Sequence, residues 1–134
     1  MNTSIALRVI RLAAIVAVVA IVGVCLNAGE PPEHWWWIFA LPLMAWMVGP
    51  AIAAYAIAKR RPSLTRIATM GIYMAAFMLT SAVAYYDGLI APQSSTAGLV
   101  TIFLPLYQWG ALIAVFLALV AFEWIKGRAN GSVR

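Results

Sequence analysis

Four long apolar runs, separated by three short polar stretches, account for nearly the whole chain: residues 5–27, 35–58, 67–86 and 98–125. Each is about 20 residues or longer, and at about 1.5 Å per residue such a helix crosses a hydrocarbon core of about 30 Å. Lipid offers a backbone no hydrogen bonds, so a segment of this kind crosses as a helix, which pairs its own amides. The pattern predicts an all-α fold in a single integral membrane domain spanning 1–134. Its architecture is a four-helix transmembrane bundle made of two helical hairpins.

The polar stretches punctuate the runs in a readable way. Gly29, Pro31 and Pro32 stop the first helix, because proline lacks an amide donor and fixes φ. Trp35-Trp36-Trp37 opens the second run where an interfacial aromatic belt belongs. Tyr85-Tyr86-Asp87-Gly88 closes the third, with Gly88 as the stop. Ser94, Ser95 and Thr96 each offer a cap for the fourth. The interior stretch Lys59-Arg60-Arg61-Pro62-Ser63-Leu64-Thr65-Arg66 divides the chain into halves of the same plan.

A basic start ahead of the first run also resembles the layout of a secretory signal peptide. Leu26-Asn27-Ala28 lacks a small residue at the first of the three positions before a cut, and Val24 precedes Cys25 where a lipoprotein signal wants a small residue. The first run is therefore expected to be a retained transmembrane helix.

Composition agrees with lipid as the solvent. Hydrophobic residues make up 65% of the chain and charged residues 10%, against about a quarter charged in soluble domains. The net charge of +5 does not point to nucleic acid, because every Lys and Arg flanks an apolar run and no basic face with reading residues exists. Charge by side sets the topology. All nine Lys and Arg fall on one side, and Glu30, Glu33 and Asp87 on the other. The positive-inside rule then places both termini and the 59–66 loop in the cytoplasm, in a cell inner or plasma membrane. Lys59, Arg60, Arg61 and Arg66 are expected to contact lipid headgroups.

Within the runs, small residues recur every four positions: Ala45, Gly49 and Ala53; Ala76, Thr80 and Ala84; Gly110, Ala114 and Ala118. Such stripes let helices approach closely. The second and fourth runs share an L-P-L-x-x-W motif, Leu41 to Trp46 and Leu104 to Trp109. A duplicated hairpin explains the echo, and so does chance in helices rich in Leu, Ala and Trp.

Candidate chemistry is sparse. Gln108 lies about 15 Å into the fourth helix, where an amide is expected to find a partner rather than face lipid. At 100° per residue it points about 160° away from Gly110, with Thr101, Pro105 and Glu123 on its own side. Two such faces suggest contacts on both sides of the helix, by oligomerisation or docking to another membrane protein; a carbonyl freed by Pro105 or Pro50 is an equally ready partner for the amide. The binding candidates are Gln108, Tyr107 and Pro105 on the fourth helix, Pro42 and Trp46 on the second, and Asp87 at the outer rim. Glu123 and Lys126, three apart, are expected to pair.

No cofactor is expected. Glu30, Glu33, His34 and Asp87 lack metal-ligand spacing, the single histidine excludes bis-His haem, and Met70, Met74 and Met78 read as packing rather than a Cu(I) site. No catalytic residue set is visible. The expected function is a non-catalytic accessory or interaction subunit, partnered by the bilayer and by itself or another membrane protein. The alternative is a small transporter or channel with a solute path near Pro42, Pro50, Pro105 and Gln108.

Overall fold

The computed structural model describes residues 3–29, 31–90 and 97–131. Four helices carry the fold: α1 (Thr3–Ala28), α2 (His34–Arg60), α3 (Leu64–Tyr85) and α4 (Val100–Gly131), with a π-helical turn at Tyr86–Ile90 and a 3₁₀ turn at Ala97–Leu99. All four are long and apolar enough to cross a membrane, which makes this a multi-pass membrane protein. Their outward faces present large apolar side chains, among them Val19, Phe39, Ile72 and Leu79. In water such a surface would be an aggregation hazard.

The helices run past the expected ends where local chemistry lets them. α3 begins at Leu64 rather than 67 because Ser63 caps it: its Oγ accepts from the Arg66 amide at 3.2 Å, and its carbonyl accepts from the Ile67 amide at 2.9 Å. The basic loop thereby shrinks to a break at 61–63. α2 continues through Pro42 and Pro50, and α4 through Pro105. At the opposite end, Trp36 lies against Gly29 so closely that a side chain at 29 would overlap its ring. The Trp37 indole N–H donates to the Pro31 carbonyl at 2.9 Å, and Trp36 meets Trp37 edge-on at 4.8 Å. The residues proposed to cap α4, Ser94 to Thr96, lie outside the described residues.

α2 and α3 form the centre, each packing on the other and on both α1 and α4. They also hold the densest part of the core: Met47, Ala51, Ala54, Ala58 and Met70 are fully buried, and Met74 and Phe77 nearly so. α1 contributes one stripe, Ile10, Ala14, Ala17 and Ile21. α4 contributes Pro105, Gln108, Leu112 and Leu119.

The small-residue stripes do not follow the expected lines. Ala45, Ala76, Thr80, Gly110, Ala114 and Ala118 are all exposed. The close approach on α2 instead uses Ala51, Ala54 and Ala58. The buried lines of α1 and α2 step alternately by three and four, which keeps them on one side of each helix.

Candidate functional site

The polar interior lies between α3 and α4. Gln108 is 6% exposed. Its amide nitrogen donates to Ser81 Oγ at 3.0 Å and to Thr80 Oγ1 at 3.2 Å, while the Tyr73 hydroxyl donates to its backbone carbonyl at 2.9 Å. Thr80 also donates to the Ala76 carbonyl at 2.9 Å, one turn back on its own helix. The amide thus finds partners as expected, but they are hydroxyls of α3 and not a carbonyl freed by proline. The physical reason lies in the 3.6-residue repeat: Tyr73, Phe77 and Ser81 share the buried face of α3. Gln108 Oε1 has no hydrogen-bond partner among the described residues.

Beside this node the two motif tryptophans meet. Trp46 and Trp109 stand 6.2 Å apart with ring planes tilted by 32°, so the L-P-L-x-x-W segments of α2 and α4 are neighbours in space. The Trp46 indole N–H reaches the Ile102 carbonyl at 3.4 Å, next to Thr101, whose carbonyl Pro105 leaves without its usual amide donor. Trp109 lies across Gly49, where an added Cβ would come within 2.6 Å of the ring. This contact explains the glycine on α2 better than a general small-residue stripe does.

The binding candidates do not all converge. Pro105 and Pro50 are fully buried and Gln108 nearly so, whereas Tyr107 is 74% exposed. Pro42 faces outward, and Asp87 sits exposed in the π-helical turn. Trp46, Pro105 and Gln108 lie along the α2–α4 and α3–α4 seams, while Pro42, Tyr107 and Asp87 stand apart from them.

At the basic end of the bundle an ion pair joins α3 to α4. The Arg66 guanidinium donates through Nε to Glu123 Oε1 at 3.2 Å and through a second nitrogen to Glu123 Oε2. The Arg66 side chain is 7% exposed and that of Glu123 35%. Two expectations change here. Glu123 pairs with Arg66 rather than with Lys126, and Arg66 turns into the bundle, unlike the exposed Lys59, Arg60 and Arg61. A bidentate guanidinium–carboxylate contact is stronger and more directional than a lysine contact on a helix surface.

The sequence did hold a signal for this pair. Arg66 falls in register with Met70, Tyr73, Phe77 and Ser81 on the buried face of α3, and Glu123 falls on the Gln108 side of α4. A charge on the apolar line of each of two successive helices is expected to find an opposite charge.

Elsewhere the chemistry is quiet. Among the described residues no three of His, Cys, Asp and Glu are grouped, and Glu30 lies outside them. Met70 and Met74 pack into the hydrophobic core. The Cys25 thiol lies 3.7 Å from Met47 Sδ. What the arrangement supplies is helix–helix adhesion: three hydroxyls, one amide and one ion pair aligned along α3 and α4. No family model, no curated protein and no solved structure matches this chain.

Proposed function

We propose that this chain is a small polytopic protein of a cell inner or plasma membrane, built as two hairpins with both termini cytoplasmic. It acts without catalysis of its own, by self-association or by docking to a larger membrane complex. One observation carries this choice: the two faces of α4 are used unequally. The Gln108 face is bonded to α3. Away from that face, the stripe of Gly110, Ala114 and Ala118, which turns from about 160° to about 80° from Gln108, is exposed, and a Cβ added at Gly110 would meet nothing within 4 Å. Helices associate in lipid through packing, and small residues permit the closest packing. An uncovered small-residue stripe on an outer helix is the surface best suited to another transmembrane segment.

Two experiments test this. Extraction from the native host in mild detergent should yield the chain with a stoichiometric partner or as an oligomer, and Ala114→Leu should release it. A native chain that runs as a clean monomer refutes the proposal. For orientation, reporter fusions at either terminus should report the cytoplasm, in keeping with the distribution of Lys and Arg. A periplasmic or external signal from either fusion overturns that topology.

A transport role has one feature in its favour, the unpartnered Gln108 Oε1 in the interior. It predicts solute flux in proteoliposomes that Gln108→Leu abolishes; unchanged flux removes Gln108 from any such path.

A further inference from the structure

The basic side chains at the charged end differ in what they already touch. Arg66 is held by Glu123. Arg128 lies over the Trp124 ring, 3.6 Å from its centroid. Lys59 and Arg60 sit in the last turn of α2, beside carbonyl ends that favour positive charge. Arg61 and Lys126 are placed differently. They approach from two separate elements and line one open cleft of about 410 Å³ between the α2–α3 break and the last turns of α4.

The remaining walls suit a phosphate. Ser63 and Thr65 bring hydroxyls to the cleft. Ser63 Oγ accepts from the Arg66 amide, which leaves its own hydrogen free to donate to a ligand oxygen. Glu123 also lines the cleft, but Arg66 matches its charge, so Arg61 and Lys126 leave the site net positive. Phe122 supplies an apolar wall. The volume falls in the range of about 300–1,000 Å³ typical of small-ligand sites, more than a bare phosphate requires.

We propose that this cleft binds a phosphate of net negative charge between Arg61 and Lys126, presented either by an anionic phospholipid headgroup or by free phosphate, in preference to a zwitterionic headgroup whose own ammonium neutralises its phosphate. The site is independent of any association through α4. It also differs from diffuse headgroup attraction, because it assigns the contact to two particular cations out of the basic cluster.

The test uses the full chain in mild detergent, titrated with short-chain phosphatidylglycerol, short-chain phosphatidylcholine and inorganic phosphate, with binding read by native mass spectrometry. Phosphatidylglycerol or phosphate is expected to bind more tightly than phosphatidylcholine. Arg61→Gln and Lys126→Gln should each weaken that binding about fivefold, while Lys59→Gln leaves it unchanged. Saturation by phosphatidylglycerol without competition from millimolar phosphate identifies a lipid headgroup, and full competition identifies free phosphate. Equal binding of phosphatidylcholine overturns the proposal, as does an equal loss from Lys59→Gln. Arg61 and Lys126 are exposed, so their substitution leaves the packed interior untouched.

Discussion

Removing Glu123 should cost more than removing Arg66, although Arg66 is the more deeply buried partner. The asymmetry follows from what each substitution leaves behind. Glu123→Leu strands a guanidinium whose side chain is 7% exposed. Breaking a buried pair by deleting one partner costs about 3–5 kcal/mol, and the 35% exposure of Glu123 screens the pair toward the lower end, about 3 kcal/mol. Arg66→Leu strands a carboxylate that solvent already reaches, for a loss of about 1 kcal/mol. Replacing both with leucine should return stability to within about 1 kcal/mol of the native chain, since buried pairs replaced by apolar residues are often neutral. The implied coupling is roughly 3 kcal/mol. Reversible unfolding in lipid bicelles, run as a double-mutant cycle, measures all four states. If Glu123→Leu costs no more than Arg66→Leu, the guanidinium is escaping along its aliphatic stem to the headgroups, and the asymmetry is refuted.

Three further outcomes are expected. Gly49→Ala should destabilise the fold by about 1–3 kcal/mol through overlap with Trp109, and Trp109→Leu in the same chain should recover most of the loss. Ser63→Ala should cost about 1 kcal/mol by removing the cap of α3, whereas Ser63→Asp should restore it; thermal unfolding reads both. Gln108→Leu removes two hydrogen bonds between α4 and α3 and should lower stability by about 1.2 kcal/mol, at about 0.6 kcal/mol for each bond between membrane helices. A loss several times larger would show that the Thr80 and Ser81 hydroxyls depend on the amide.

Much of the fold was legible because the bilayer imposes a length and a polarity on every crossing segment. Four apolar runs became four helices, and Gln108 was marked for a hydrogen-bonding partner by its depth in the fourth run. Boundaries were less legible. The start of α3 depends on a cap at Ser63 that a run of basic residues concealed, and α4 runs on to Gly131 through polar residues beyond the expected end of the apolar run at 125.

Helix neighbours were least legible of all. In lipid, each helix has several apolar faces of similar hydrophobicity, so sequence periodicity does not say which one meets a partner. Packing volume decides instead. Met47, Met70 and Phe77 are buried on α2 and α3, and burying that side of each helix leaves Ala45 and Ala76 exposed.

The sequence by itself determined four apolar helices long enough to cross a membrane, with Lys and Arg confined to the stretches near their ends. Both follow from composition along one dimension. Tertiary structure decided that Arg66 belongs to Glu123, that Trp109 lies on Gly49, and that Arg61 and Lys126 share a cleft. Those are relations between residues some 57 to 65 positions apart, and only side chains brought together by packing can select them.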